Sequence, residues 1–355
     1  MKNRNRYAVG SGQLLRLRLL GWYGFHSTGD DLMRWCIERI FQERAIGMGM
    51  SLKFTNDDDC DLCIIGGGTI IGCDTSRICN RVDKINAPLT IFGPGFRNTG
   101  EDECKRWQPK MRSLFERSLF SGVRGPRTAE SLKHYGMVED VDIIGDSAIG
   151  FEPVPLPWRA DGPVVGICVR TMKNAEVGME ERYISSRETF NRLASVISLV
   201  LERLAARPVF LSFAENKFDS DSEAARRLRA ILPSQYHNAS ILPYCDDVRL
   251  NPSIVGQLDY LISERMHPAI IAWLMGKPCV MIENQYGKST DFMASINMER
   301  YCLRTDELDN NRYMGLFDDI MNNRKNIVIK TGKLFDILKK RQSRFVDKLL
   351  KKLNY

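Results

Sequence analysis

The chain has 355 residues, 43% of them hydrophobic and 27% charged, the composition of an ordinary globular protein. At roughly 150 residues per domain the length suggests two domains, each with a sizeable core. A net charge of +7 favours anionic substrates or an acidic membrane surface over committed nucleic-acid binding, which clusters basic side chains with aromatics. No apolar run approaches the roughly 20 residues that cross a bilayer. Arg16 and Arg18 interrupt the apolar part of the N-terminal stretch, which therefore reads as a strand and not as a signal peptide. A cytoplasmic location is expected, with the inner face of the cell membrane as an alternative.

The first half alternates strands and helices. LLRLRLLGWYG predicts a strand, followed by a glycine-rich turn and the helical pattern DDLMRWCIERIFQER, capped by Thr28 or Asp30. DLCIIGGG and LTIFGPG are short apolar runs ending in glycine, as buried parallel strands and their C-terminal turns do. Cys60 and Cys63 form a C-x-x-C match, but on a strand and without a second ligand pair, so structural thiols are expected. CKRWQPKMRSLFERSLF and RTAESLKHYG predict helices, the second stopped by Gly136, and VDIIGDSAIG adds a strand. Repeated β-α units imply a parallel sheet covered on both faces.

Pro153, Pro155, Pro157 and Pro163 then mark a linker, because prolines at that density favour extended chain. The β-α pattern restarts with VVGICVR, a long helix over SRETFNRLASVISLVLERLAA, the strand PVFLSF, and a helix capped by Asp219 or Ser220. LDYLIS, HPAIIAWLMG and PCVMIEN complete it. The expected division is an N-terminal domain over 1–152, a linker over 153–163, a C-terminal domain over 164–330 and a basic amphipathic helix over 331–355. The two α/β halves are expected to face each other across a cleft. In the last helix Leu334, Leu338, Phe345, Leu349 and Leu353 fall near one face, with lysines and arginines elsewhere. That pattern suits either attachment to an anionic membrane surface or docking on the protein with a solvated polar face.

The stretch SERMH carries the sharpest chemical signal. Arg265 and His267 follow a predicted strand, and Lys288 follows the next one, so all three gather where neighbouring parallel strands end. Open α/β sheets bind ligands at that edge. Arg170 follows VVGICV at the equivalent place. A guanidinium, an imidazole and an ammonium converging there suit a small anion bearing carboxylate or phosphate, although a solvated turn with unrelated charges fits as well. In the first half, the turn from Gly21 to Asp31, the triple glycine Gly66-Gly67-Gly68 before Thr69, and the turns Gly93-Pro94-Gly95-Phe96-Arg97 and Gly145-Asp146-Ser147 all end strands. Glycine there allows close backbone approach to a ligand; tight turns explain the same residues. His26, His134 and His237 have no metal-ligand spacing.

Together these residues resemble the polysaccharide pyruvyl transferase family. The motifs are G-x-x-G-x-x-x-x-G-D from Gly21 to Asp30, the triple glycine, Val123-Arg124-Gly125, Gly145-Asp146-Ser147-Ala148, and S-x-R-x-H at Ser263, Arg265 and His267. Gly276-Lys277-Pro278 and Lys288 follow in order, and the likeness covers roughly residues 13 to 295. Ser27 stands where asparagine is usual, and Met266 where leucine is. The resemblance implies two Rossmann-like domains of the glycosyltransferase-B type. It also implies transfer of the pyruvyl group of phosphoenolpyruvate to two sugar hydroxyls, giving a cyclic ketal and phosphate with no metal or cofactor. Arg170, Ser263, Arg265, His267 and Lys288 would hold the donor. Gly24, Gly29, Asp30, Gly67, Gly68 and Thr69 would line the acceptor side, where a sugar or lipid-linked oligosaccharide is expected. His267, with Arg265, would carry the acid–base chemistry and Asp30 would be the base for the acceptor hydroxyl. A glycosyltransferase of the same fold using a nucleotide sugar is the main alternative, and a non-catalytic sugar-binding or scaffold protein a third.

Overall fold

The computed structural model describes residues 14–71, 75–96, 101–156, 161–170, 187–216, 219–283 and 287–353. Arg97 and Pro157 lie outside these residues. The chain forms two compact units, one of residues 1–23, 33–150 and 336–355, the other of residues 24–32 and 151–335.

The first unit runs through β1 (Leu14–Leu20), α1 (Thr28–Gly47), β2 (Ser51–Thr55), β3 (Leu62–Gly66), α2 (Thr75–Val82), β4 (Leu89–Phe92), α3 (Glu101–Arg117), β5 (Ser118–Val123), α4 (Pro126–His134) and β6 (Asp142–Ile143). Its six strands are parallel in the order β2-β1-β3-β4-β5-β6. Every residue of β3 and β4 is buried, so the sheet is covered on both faces. Successive β3 residues feed different cores, as the two-residue period of a strand requires. Leu62 and Ile64 pack with Ile37 and Phe41 of α1, whereas Cys63 and Ile65 pack with Met111 and Leu114 of α3. Burial raises the Cys63 thiol to about 12, and Cys60 is pushed upward for the same reason, so both are inert structural residues.

The second unit runs through β7 (Val164–Cys168), α5 (Arg187–Leu204), β8 (Arg207–Leu211), α6 (Asp221–Ile231), β9 (Ser240–Leu242), α7 (Leu250–Val255), β10 (Tyr260–Ser263), α8 (Met266–Leu274), β11 (Cys279–Glu283), α9 (Lys288–Ser295), β12 (Cys302–Arg304) and α10 (Asn310–Leu353). Its strands are also parallel, ordered β12-β11-β10-β7-β8-β9. From β7 the chain steps outward to β8 and β9, then returns to β10 and steps the other way. The C-terminal ends of β7 and β10 therefore flank a topological switch point, the place where open α/β sheets open a ligand crevice.

The boundaries differ from the expected ones in two places. Residues 24–32 join the second unit, because Thr28 N donates to Phe213 O at 2.8 Å and Glu215 N to His26 O at 3.1 Å. The terminal helix begins at Asn310, not near residue 331, and residues 336–355 join the first unit. Phe345, Val346, Leu349 and Leu353 pack with Phe41 and Phe92, the Phe92 and Phe345 rings lying 5.5 Å apart. Docking thus occupies the apolar face of that helix. No helix among the described residues is long and apolar enough to cross a membrane.

Candidate functional site

The backbone at the end of β10 places Arg265 through local hydrogen bonds. Ser263 Oγ accepts from Arg265 N at 3.1 Å and donates to Arg265 O at 2.7 Å. Glu264 N donates to Cys168 O at 2.8 Å, prolonging the pairing with β7. Arg265 itself is extended, at φ −97° and ψ 132°, and serves as the N-cap position of α8. Arg170 stands two residues past β7, its N–H donating to the buried Glu264 carboxylate at 3.1 Å. The two arginines so arrive at one edge from adjacent strands.

They meet on a shared carboxylate. Asp219 Oδ2 accepts from Arg170 at 2.7 Å and from Arg265 at 3.1 Å. Arg265 also grips Asp221 bidentately through Nε at 3.0 Å and a short bond from its second terminal nitrogen. Asp221 opens α6, is fully buried, and accepts from Phe213 N at 2.9 Å and Ala214 N at 3.0 Å. These bonds use three of the five guanidinium N–H groups of Arg265. The expected cationic cluster is therefore corrected: two aspartates offset the charge of the two arginines. In the sequence Asp219 stands out only as a candidate helix cap, a role that falls to Ser220, whose side chain accepts from Glu223 N. The signal was the acidic run Asp219-Ser220-Asp221, indistinguishable in sequence from an ordinary helix start.

Burial opposes ionisation of Asp219, but Arg265 and Arg170 outweigh it and hold its carboxyl below the usual range. Burial pushes Asp221 upward, with Arg265 acting against the rise. The bidentate guanidinium and the two backbone N–H donors favour the carboxylate form of Asp221 against that rise. Burial works against the charge of Arg265 as well, yet Asp219 and Asp221 keep it firmly protonated.

His267 occupies the first turn of α8, two residues beyond Arg265. Gly29 of α1 lies directly against it: a Cβ there would fall 1.9 Å from His267 Nδ1. Ser27 pairs with Ala214 in an antiparallel bridge, which pins this segment beside β8. Asp30 accepts from Ser27 Oγ at 2.6 Å, and Asp31 from Gly24 N at 2.6 Å. Lys288 is the first residue of α9, after β11, the strand beside β10. Glu283 at the end of β11 caps α9 by accepting from Thr290 N at 3.2 Å. The second unit thus brings Arg170, Ser263, Arg265 and His267 of the expected donor set to one switch point, with Lys288 at the end of the neighbouring strand.

The expected acceptor residues divide. Gly24, Gly29 and Asp30 belong to the second unit, Gly67, Gly68 and Thr69 to the first. In the first unit the Tyr23 hydroxyl donates to Gly66 O in a short bond, and a Cβ at Gly67 (φ 76°) would lie 2.4 Å from the Tyr23 hydroxyl oxygen. Glycine there accommodates a tyrosine of the same unit. Arg124 and Asp146 form an ion pair at 2.8 Å with both side chains 0% exposed, and Asp146 Oδ1 also accepts from Ala148 N at 2.8 Å. The Val-Arg-Gly and Gly-Asp-Ser-Ala motifs are thereby one buried joint beneath the glycine turns. A Cβ at Gly95 would come within 2.7 Å of that guanidinium.

The two switch-point sheets define a glycosyltransferase-B-like fold, and solved structures agree. S. aureus MnaA, in its co-structure with UDP, is similar with TM-score 0.55 and 8% identity, covering 89% of this chain and 90% of that one. Sucrose-phosphate synthase from Thermosynechococcus elongatus gives TM-score 0.53 and 11% identity over 96% and 99%. UDP-GlcNAc 2-epimerase from Neisseria meningitidis, bound to UDP-GlcNAc, gives 0.52 and 10% over 92% and 98%. A comparison with curated protein sequences gives no match. The family model for polysaccharide pyruvyl transferase matches residues 14–286, and the chain belongs to that family of transferases.

Proposed function

We propose that this transferase moves the pyruvyl group of phosphoenolpyruvate onto two hydroxyls of a surface or exopolysaccharide sugar, forming a cyclic ketal and releasing phosphate. The observation that carries the proposal is the pair of arginines joined by Asp219 with His267 one helical step away, in a chain of this family. Phosphoenolpyruvate carries about three negative charges distributed over a carboxylate and a phosphate, groups that planar guanidinium donors bind well. Arg170 and Arg265 would take one anionic group and Lys288 would reach the other. The start of α8 adds the positive end of a helix dipole. Because the aspartates offset the arginines, this site selects by directed hydrogen bonds more than by net charge.

Ketal formation begins with a proton delivered to the methylene carbon, which leaves C2 cationic. One sugar hydroxyl adds there, phosphate departs, and the second hydroxyl closes the ring. One proton enters the methyl group, two leave the hydroxyls, and one leaves with phosphate. His267 is placed to move a proton, since imidazole titrates near neutrality. Asp30, on the segment whose Gly29 touches His267, is the base for the acceptor hydroxyl. The exposed face of α10, with Lys340, Arg344, Lys348 and Lys351, would rest on an anionic lipid surface carrying a lipid-linked acceptor.

The test is phosphate release from phosphoenolpyruvate with candidate glycans, and mass spectrometry of the product. Addition of one pyruvyl unit with loss of water supports the reading. Tight binding of UDP with no turnover of phosphoenolpyruvate would favour a nucleotide-sugar enzyme.

A further inference from the structure

We propose that Asp219 is a positioning residue of the anion site: it sets the spacing of Arg170 and Arg265 before any ligand arrives. The inference rests on the donor reading above only for the identity of the ligand. Two guanidinium groups brought together without an intervening anion repel each other and would splay. Here a single oxygen, Asp219 Oδ2, accepts from both, at 2.7 and 3.1 Å. The other oxygen, Oδ1, is buried and has no hydrogen-bond partner among the described residues. The arginines are thus what holds the Asp219 side chain, and Asp219 is what fixes the distance between them.

Asp221 plays a different part. It is anchored to the end of β8 by Phe213 N and Ala214 N and holds Arg265 alone. The backbone of Asp219 is held by local bonds: Glu215 and Ser220 form an antiparallel bridge, Asn216 N donates to Asp219 O at 2.8 Å, and Asp219 N donates to Asn216 Oδ1 at 3.0 Å. That bridge is tied to His26, whose O accepts from Glu215 N at 3.1 Å. These backbone bonds fix where the carboxylate starts, the arrangement that preorganises a binding site. An anion entering such a site meets two guanidinium groups already oriented, and little side-chain freedom is lost on binding.

The experiment compares wild type, Asp219→Ala and Asp219→Asn by calorimetric titration with phosphoenolpyruvate, inorganic phosphate and pyruvate. It adds steady-state kinetics and a melting curve for each. The expected result is a rise of about tenfold or more in Kd and KM for the alanine variant, with kcat at saturating donor within about threefold of wild type. A purely structural role would lower the active fraction, and with it kcat, while leaving KM and Kd unchanged. Asp219→Asn keeps the shape and loses the charge, so its Kd should fall between the other two; it also supplies the answer if the alanine variant does not fold. Unchanged Kd in a folded variant overturns the assignment, as does a loss of kcat alone. Wild type binding phosphate or pyruvate but ignoring phosphoenolpyruvate would refute the proposed reaction, while the Asp219 effect would still be read on the anion that binds. Wild type binding none of the three overturns both.

Discussion

Gly29 and His267 are in direct contact: no side chain larger than hydrogen fits between the start of α1 and the imidazole, since a Cβ would sit 1.9 Å from Nδ1. The glycine of the Gly29-Asp30 pair therefore serves the histidine of the S-x-R-x-H motif, from a position more than two hundred residues away in sequence.

Gly29→Ala should displace the ring. The helix preference of alanine over glycine, about 1 kcal/mol, offsets part of an overpacking cost of about 1–3 kcal/mol, so the melting temperature should fall modestly, while kcat should drop on the order of a hundredfold. His267→Ala, which removes the ring, should retain donor affinity and lose turnover by about 10²–10⁴-fold. Full activity in Gly29→Ala would show that the imidazole orientation does not matter to turnover.

Asp146→Ala should destabilise the protein severely. Arg124 would be left as a buried cation with 0% exposure, and breaking a buried pair from one side costs about 3–5 kcal/mol. Replacing both residues with apolar side chains, Arg124→Met with Asp146→Leu, should recover most of that loss in urea denaturation. Equal stabilities for the single variant and wild type would mean the pair contributes nothing.

The pH dependence of stability follows from Asp219. Burial opposes its charge, but the two arginines prevail and hold its carboxyl below the ordinary range. A lowered value in the folded state stabilises above the unfolded value of about 3.9, and that stabilisation is lost as pH falls through the folded value. Wild type should therefore melt above Asp219→Asn at neutral pH, and the gap should close below about pH 4. Asp221, shifted the other way by burial, is present in both proteins and largely cancels. A gap that stays constant down to pH 2 would contradict the ion-pair assignment.

The C-terminal helix leads to a prediction about surfaces. Its apolar face is docked, while Lys340, Arg344, Lys348 and Lys351 are exposed and Ile337 is 46% exposed among them. Basic residues near an anionic surface contribute about 1 kcal/mol each. Changing the four cations to glutamate should reduce sedimentation with phosphatidylglycerol vesicles more than about tenfold, with none expected on phosphatidylcholine in either protein. Phosphate release with a water-soluble acceptor should be unaffected.

Much of this architecture was legible in the sequence because buried parallel strands announce themselves. LCIIG and LTIF are continuous apolar runs ending in glycine, and both are strands buried along their whole length. The edge strands β2, β9 and β12 were not found: SLKFT, SIL and CLR are short, partly exposed and paired on one side only. The start of α10 was missed because polar residues such as Asn322, Asn323 and Arg324 dilute its apolar stripe. At the site, the arginines and histidine could be found from their places after strands. Asp219 could not, because its importance comes from its meeting with residues 170 and 265, and no spacing rule encodes that meeting.

The most direct measurement is calorimetric titration of the wild-type protein and Arg265→Ala with phosphoenolpyruvate. The account predicts binding by the wild type at sub-millimolar to millimolar donor, roughly the span of ordinary substrate affinities, and no detectable heat from the variant. No binding by the wild type at millimolar donor, or equal binding by both proteins, would contradict it.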